Sequence, residues 1–205
     1  KAADQRSVQN PATEISETLE EIIDRRARFL TEYQNTEYGI RYKAFVQEVR
    51  KNEEGSVAGQ SALTEAVARY AFKLMAYKDE YEVARLHSSH DFRKKVRETF
   101  DGDYKLTFHL APPLFAAKDA NSGVPKKTSF GPWILPVFTI LAKMRFLRGS
   151  VFDIFGYTSE RRRERGLIAD YFDTVREVSN KLDHESHALA VQIAEIPEKI
   201  RGFGH

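Results

Sequence analysis

Hydrophobic residues recur at intervals of three and four along most of the chain. Between Ser16 and Gln34 they fall on one face of a helix, at Leu19, Ile22, Ile23, Ala27 and Leu30. That spacing predicts an amphipathic helix with Ser16 as its N-cap. The same pattern predicts helices over residues 37–52, 60–77, 79–86 and 91–100. It also predicts a long helix from Thr158 or Ser159 to Leu182. A last helix is predicted to be capped by Asp183, with an inward face formed by Leu189, Ile193, Ile196 and Ile200.

The period changes to two in one segment. Apolar and polar residues alternate from Tyr104 to Leu110, which is typical of a strand with one buried face. Pro112 and Pro113 cannot donate backbone hydrogen bonds, so this strand is predicted to lie at an edge. A turn over residues 119–123 and a return strand over 124–130 complete a small β-hairpin insertion around residues 103–130.

The segment from Trp133 to Leu147 is apolar on nearly all sides. A helix of that kind is predicted to lie at the centre of the core. The loop that follows, between Gly149 and Gly156, carries several aromatic residues. The predicted fold class is therefore mainly α, a single-domain helical bundle with the small hairpin. Residues 1–14 are predicted to be a polar linker from an upstream domain, and residues 15–205 the helical domain itself.

Composition and charge exclude several classes of function. The net charge of +2 over 205 residues gives no reason to expect binding to nucleic acid or to a membrane surface. The absence of cysteine excludes iron–sulfur ligation, disulfides and a cysteine nucleophile in this chain. The longest uncharged run, residues 128–142, is shorter than a membrane span and contains two prolines. These features fit a cytoplasmic protein.

Three histidines are candidates for chemistry. The spacing of His184 and His187 could place two imidazoles on one metal ion beside Glu185, but no third ligand is indicated, and a polar, solvated first helical turn is the simpler interpretation. His109 lies on the polar face of the predicted strand, where it could move a proton near pH 7 or be a half-exposed surface residue. The sequence contains no Gly-rich phosphate loop, no G-x-S-x-G and no H-E-x-x-H motif.

The densest basic cluster begins the long helix, at Arg161, Arg162, Arg163 and Arg165. Residues 131–165 carry seven basic and three acidic residues, so this part of the chain could dock a phosphate or an acidic protein. Consecutive arginines point in several directions around a helix, and Glu160 and Glu164 interleave with them. A solvated, ion-paired helix start is the alternative interpretation.

Four long motifs carry a resemblance to a known family. They are LTEAVARYAFKLMAYKDEYEVARL at 63–86, GDYKLTFHLAPPLFAAKD at 102–119, FGPW at 130–133 with FDIFGYTSERR at 152–162, and the closing IPEKIRGFGH at 196–205. In this order they resemble the C-terminal domain of the fused indolepyruvate ferredoxin oxidoreductases, which belong to the 2-oxoacid:ferredoxin oxidoreductase family. The resemblance runs from about residue 16 to the last residue.

The resemblance implies a parent enzyme that decarboxylates aryl 2-oxoacids with thiamine diphosphate, reduces ferredoxin through iron–sulfur clusters and transfers the acyl group to coenzyme A. It places those cofactors in upstream domains, so no catalytic, cofactor or metal residue is carried over to this chain. The chain opens on Lys1 and is expected to be a piece of a longer polypeptide, an accessory domain without activity of its own, in a parent that is a homo-oligomer.

Three functions stay open from the sequence. The first is packing on the upstream catalytic domains or a second subunit, with contacts expected from Pro112, Pro113, Leu114, Phe115, Arg161, Arg162, Arg163 and Arg165. The second is an independent docking module for an acidic partner such as ferredoxin through the arginines. The third is a small enzyme around His109, which would need a deep polar cavity.

Overall fold

The computed structural model describes residues 17–110 and 128–200. In these ranges it contains eight α-helices and one two-stranded antiparallel sheet, so the predicted mainly α fold with a small β-hairpin is confirmed. The elements are α1 (Leu19–Tyr33), α2 (Thr36–Ser56), α3 (Ala62–Met75), α4 (Glu80–Ser88), α5 (His90–Thr99), β1 (Phe108–Leu110), β2 (Thr128–Phe130), α6 (Ile134–Lys143), α7 (Ser159–Asn180) and α8 (His187–Ala194), with short 3₁₀ helices at Met144–Leu147 and Ile196–Lys199.

Polar side chains fix where the first helices begin. Thr18 and Glu21 form a capping box at the start of α1, in which the Thr18 N–H donates to the Glu21 carboxylate at 2.8 Å and the Glu21 N–H donates to the Thr18 hydroxyl at 3.3 Å. Ser16, the predicted cap, lies outside the described residues. Asn35 caps α2 by accepting from the Tyr38 N–H at 2.9 Å, directly after α1 ends. This tight connection favours the packing of α1 against α2.

The main core is formed by α1, α2, α3, α7 and α8. Its centre contains stacked aromatic rings, with the centroids of Phe45 and Phe172 3.8 Å apart. The last helix differs from the prediction in its inward face and in its end, because α8 stops at Ala194 and Ile196 begins a 3₁₀ helix. Ala190 and Ala194 face the core, whereas Leu189 and Ile196 are exposed, so the predicted inward positions of these two larger residues are wrong. Small alanine side chains allow a helix to approach its neighbours closely, and α8 contacts both α3 and α7.

A smaller core lies between α4, β1 and α6. Its buried members are Ala84, Phe108, Ile134, Phe138 and Ala142. The predicted position of the apolar helix at the centre of the core is wrong, because α6 buries only one face here. β1 pairs with β2 in the register Phe108 to Phe130, so regular pairing covers three residues a side and begins later than the alternation at residue 104 predicts. The predicted linker, the hairpin turn and the paired prolines lie outside the described residues.

A polar junction of Tyr33, Asp79, Tyr81, Arg148 and Asp153 joins the two cores. Arg148 donates from Nε and Nη2 to the two Asp79 carboxylate oxygens and from Nη1 to the Tyr33 carbonyl. Tyr81 donates its hydroxyl proton to Asp153 at 3.1 Å. Buried charges of this kind fix a geometry more than they add stability, since desolvation offsets most of their attraction. We interpret the junction as the device that orients the smaller core on the larger one.

Candidate functional site

Large apolar side chains are exposed unevenly over the described part of the chain. Fourteen of them are exposed in residues 17–110 and 128–200, and eight of the fourteen lie within residues 133–157. We call these eight the exposed apolar surface: Trp133, Val137, Ile140, Phe146, Val151, Phe152, Ile154 and Tyr157. Single exposed apolar residues are ordinary on a protein surface, but a concentration in one segment makes that segment a candidate binding site.

The first part of the exposed apolar surface is a stripe along α6. Trp133, Val137 and Ile140 are four and three residues apart, so they lie on one face of the helix. Trp133 is 64% exposed and Ile140 is 63% exposed. The opposite face carries Ile134 and Phe138, which pack into the smaller core. The helix is therefore apolar on two sides, and the fold of the described residues covers only one of them.

Phe146 follows in the 3₁₀ helix, and the second part of the surface lies on the loop at residues 148–158, which is held by hydrogen bonds between side chains and backbone. The Asp153 carboxylate accepts from the Gly149 N–H at 2.7 Å and from the Gly156 N–H at 3.0 Å. A Cβ at Gly156 would overlap the Asp153 carboxylate, so a larger residue at this position would displace that carboxylate from its hydrogen bonds. Tyr157 donates its hydroxyl proton to the Val151 carbonyl at 2.7 Å. The loop is thus built to present its side chains in one arrangement.

One aromatic residue of this loop turns inward. Phe155 packs edge-on against Tyr81, with the two ring centroids 5.3 Å apart. Its neighbours Phe152 and Ile154 remain exposed, Phe152 by 72%. The sequence does not distinguish these positions, because in a loop no periodicity separates inner from outer residues. The inward ring anchors the loop, and the outward ones supply apolar contact area.

The predicted basic cluster does not form one surface. Arg161 is nearly buried and pairs with Glu164 at 2.6 Å and with Glu80 at 3.3 Å. Arg165 donates to the Gly156 carbonyl at 2.6 Å. Arg162 and Arg163 are exposed on α7. The ion-paired interpretation thus describes Arg161, while the predicted contact residues Pro112, Pro113, Leu114 and Phe115 lie outside the described residues.

The histidine candidates are separated in the fold. His109 is exposed in β1 and contacts the Ser129 hydroxyl across the hairpin at 3.0 Å. His184 is exposed, whereas His187 is half-buried and its Nε2 lies 2.7 Å from Glu53 Oε1. The predicted solvated first turn is therefore wrong for His187. Over the described ranges, no group of three or more potential ligands is placed to hold a metal ion.

Glu53 is a buried acid that the sequence analysis missed. It is fully buried and accepts hydrogen bonds from the backbone N–H groups of Leu63 and Thr64, both at 2.9 Å, and from the Thr64 hydroxyl at 2.6 Å. Burial raises the pKa of this carboxyl, but the bonds from His187, Thr64 and the backbone outweigh burial and leave the pKa below its ordinary value. Glu53 therefore caps α3 from another helix and ties α8 to both, a structural role.

Chemically, the exposed apolar surface offers contact area and no convergent reactive groups. Aromatic and aliphatic side chains around a rigid loop are the composition of a protein-binding surface. The helices of the described ranges include none that is long and apolar enough to cross a bilayer.

Comparison with known proteins adds a family to this geometry. A search of curated proteins and a search of solved structures each gave no match. A family model described as a family of unknown function, DUF6537, matches residues 19–205, which span every element of the fold from α1 onwards. The chain therefore belongs to the DUF6537 family.

Proposed function

We propose that this chain is a non-catalytic accessory domain of an enzyme like the indolepyruvate ferredoxin oxidoreductases, and that it packs on the catalytic body of that enzyme through the exposed apolar surface. The enzyme type rests on the sequence motifs at 63–86, 102–119, 130–133, 152–162 and 196–205. The docking role rests on one observation, the concentration of exposed apolar side chains between residues 133 and 157.

Solvation is the physical reason to expect a partner there. Removing apolar surface from water contributes roughly 25 cal/mol of favourable free energy per Å². Trp133, Val137 and Ile140 are in contact with water, so a partner that buried them would gain several kcal/mol of binding free energy. Tryptophan and tyrosine are among the residues that dominate binding energy when a partner covers them. Trp133 and Tyr157 lie at the two ends of the surface along the chain.

Charge indicates the chemistry of the partner's rim. Of the basic residues in 131–165, Lys143, Arg162 and Arg163 are exposed, whereas Arg148 and Arg161 are held in buried or nearly buried ion pairs. A partner with an apolar centre and an acidic rim matches this arrangement. We assign that partner to the catalytic body of the same polypeptide, because the resemblance places upstream domains next to this one.

In the proposed parent enzyme, the catalytic reactions take place outside this domain. Thiamine diphosphate and iron–sulfur clusters belong to the upstream domains in the resembling enzymes, so their decarboxylation and electron transfer occur there. Covering part of the catalytic body would keep solvent from its clusters or order a channel between its sites. The proposed location is the cytoplasm, where thiols stay reduced and cluster ligands persist, and the proposed parent is a homo-oligomer.

Trp133 provides a direct test, because it is the chain's one tryptophan and lies on the exposed apolar surface. The chain is mixed with a resembling oxidoreductase from which the corresponding domain has been deleted. Association is followed by sedimentation, and the tryptophan environment by a fluorinated tryptophan incorporated in this chain alone. We expect a complex to form and the signal of the fluorinated tryptophan to change. We also expect the double substitution Val137→Ser and Ile140→Ser to raise the dissociation constant about 100-fold, because each side chain is expected to contribute roughly 1.4 kcal/mol to binding.

Ile40→Ser and Leu189→Ser form the matched control, since these residues are 61% and 59% exposed on α2 and α8. This control pair should bind like the unmodified chain. Equal weakening by both pairs would point to general hydrophobic adhesion and contradict the proposal. Self-association through Val137 and Ile140 without binding to the oxidoreductase would make a second copy the partner and also contradict it.

A second candidate function is a docking module for an acidic partner such as ferredoxin, through Arg161, Arg162, Arg163 and Arg165. The exposure of Arg162 on α7 favours it, although Arg161 is already paired. Binding of ferredoxin to the chain should then weaken as salt rises and weaken further in Arg162→Gln. Ferredoxin binding that is unchanged both at higher salt and in Arg162→Gln would exclude this function.

A further inference from the structure

A second feature is a cleft of about 250 Å³ between the main core and the start of the loop at 148–158, lined by none of the eight residues of the exposed apolar surface. The cleft is lined by residues from the ends of α1 and α3, the start of α2, the loop and α7: Gln34, Tyr38, Arg41, Tyr77, Arg148, Gly149, Arg165 and Ile168. Three of these residues are arginines and none is acidic. We call this the arginine cleft.

The three arginines differ in how their charges are balanced. Arg148 is paired with Asp79, which lies behind it in the polar junction, so it is positioned but neutralised. Arg165 bonds to the Gly156 carbonyl, and its Nη1 has no hydrogen-bond partner among the described residues. Arg41 is exposed and lies over the Phe172 ring, 4.9 Å from the centroid. Neither Arg41 nor Arg165 forms an ion pair among the described residues, although Arg165 Nη1 and the Asp153 carboxylate both lie beside Gly156. The cleft therefore has a positive lining in which Arg41 is the exposed cation and Arg165 Nη1 lacks a hydrogen-bond acceptor.

Neutral donors complete the lining. Burial is the main cause that raises the pKa of Tyr77, to about 12, so its hydroxyl stays protonated at neutral pH. That hydroxyl has no hydrogen-bond partner among the described residues, and a protonated phenol can donate to an anion. The Gln34 side chain donates to the Arg148 carbonyl at 3.4 Å and thereby holds the rim of the cleft.

We propose that the arginine cleft binds a small anion, a phosphate or carboxylate group, between Arg41 and Arg165. The planar guanidinium group matches both oxyanions through paired hydrogen bonds. The volume is slightly below that of ordinary ligand pockets, so the cleft accepts a small molecule or the anionic end of a larger one. The ion pair of Arg148 with Asp79 keeps the floor of the cleft in place, and a bound anion would accept hydrogen bonds from Arg41 and Arg165.

The test uses the full chain and three probes: inorganic phosphate, pyrophosphate and acetate. Titration calorimetry should show saturable binding, and the preference between the phosphates and acetate identifies the class of anion. Arg41→Gln should weaken binding about tenfold or more, the worth of one charge-assisted hydrogen bond. Arg41 makes no described ion pair, so this variant should fold normally. Arg165→Met, which keeps the apolar length of the side chain, provides an independent second variant.

Arg97→Gln is the control, because Arg97 is exposed on α5, does not line the cleft and undergoes the same change of charge. It should leave binding unchanged. Equal loss in Arg97→Gln would reveal general electrostatic attraction and overturn the site. Absence of saturable binding by all three probes, or binding unchanged in both Arg41→Gln and Arg165→Met, would also overturn it. Arg41→Gln separates this proposal from the docking proposals, because Arg41 belongs to neither the exposed apolar surface nor the arginine cluster of α7.

Discussion

The two cores of this protein use apolar residues in opposite ways. In the main core, five helices surround Phe45, Leu63 and Val175, which are almost completely buried. In the smaller core, α6 buries Ile134 and Phe138 and leaves the opposite face of the same helix in water. The main core is thus complete by itself, while the smaller one is apolar on a side that the described fold does not cover.

This difference separates stability from function. Burial in the main core provides most of the free energy of folding, because stabilisation follows the apolar area removed from water. The smaller core is oriented by the polar junction, whose buried charges define an arrangement at little net gain. A domain that must present an apolar surface without losing its fold benefits from this division, since changes at the surface leave the main core intact.

Truncating the centre of the main core should have the largest effect. Phe45→Ala removes a fully buried ring stacked on Phe172, and we expect the free energy of unfolding to fall by about 4 kcal/mol, within the usual range for Phe→Ala in a core. Urea denaturation followed by circular dichroism measures this loss.

Phe138→Ala is the comparison in the smaller core. Its neighbours are fewer and closer to water, so the cavity can collapse, and we expect a loss at the low end of the range, about 3 kcal/mol or less. Native-state hydrogen exchange should also show that α6 amides open before those of α3. A larger loss in Phe138→Ala than in Phe45→Ala would invalidate the distinction between the two cores.

Neutralising the polar junction should have the next largest effect. Asp79 caps α4 by accepting a hydrogen bond from the Glu82 N–H, and an asparagine oxygen can still accept that bond. Asp79→Asn, however, leaves the Arg148 guanidinium buried without a counter-charge. We expect a loss of about 3 kcal/mol in the free energy of unfolding, the low end for a broken buried pair. Thermal and urea unfolding give the value.

The double substitution Asp79→Leu and Arg148→Met tests the cause. Removing both charges should recover part of the stability, because no unpaired charge is left in the interior. If the double variant is less stable than the unmodified protein by the sum of the losses in the two single variants, charge pairing is not what the junction contributes.

Glu53 gives a smaller effect that depends on pH. Its folded-state pKa is lowered, so its ionised form stabilises the fold above the ordinary glutamate pKa, and that contribution is lost as pH falls through the folded value. Glu53→Gln should cost about 2 kcal/mol at pH 7, within the range for buried hydrogen bonds to a charged group. Below about pH 4, the ordinary value for glutamate, the difference from the unmodified protein should shrink.

Other acids require an internal control in this experiment. Glu21 and Asp183 also have lowered pKa values, because hydrogen bonds from Thr18 and Ser186 favour their ionised forms. Both remain in Glu53→Gln, so the difference between the two proteins isolates Glu53. A constant difference from pH 7 to pH 3 would show that the cap acts through shape rather than charge.

The sequence predicts what periodic spacing and composition control. Helices α1 to α5 and α7 lie close to their predicted ranges because their apolar faces repeat over several turns. The partner of Glu53 lies beyond such reasoning, since ten residues and a change of helix separate it from Leu63. The ion pair of Asp79 and Arg148 spans sixty-nine positions, which no local pattern reveals.

The candidate site was harder to predict than the fold. An all-apolar helix predicts burial, and periodicity cannot state whether the covering residues belong to the same domain. Trp133 and Ile140 therefore look in the sequence like core residues, and only the fold shows them in water. The arginine cleft was missed for another reason: Arg41, Arg148 and Arg165 are distant in sequence, and only Arg165 belongs to a basic cluster.

Polar substitution on the exposed apolar surface should have the smallest effect on folding. Val137→Ser with Ile140→Ser changes side chains that already contact water, so we expect the free energy of unfolding to change by less than about 1 kcal/mol in total, from roughly 0.5 kcal/mol a site. Thermal unfolding measures this, and light scattering of the same samples should show less aggregation at high concentration. A large loss of stability would mean that Val137 and Ile140 pack within the domain. The smaller core would then be covered like the main core, and the distinction between the two cores would be wrong.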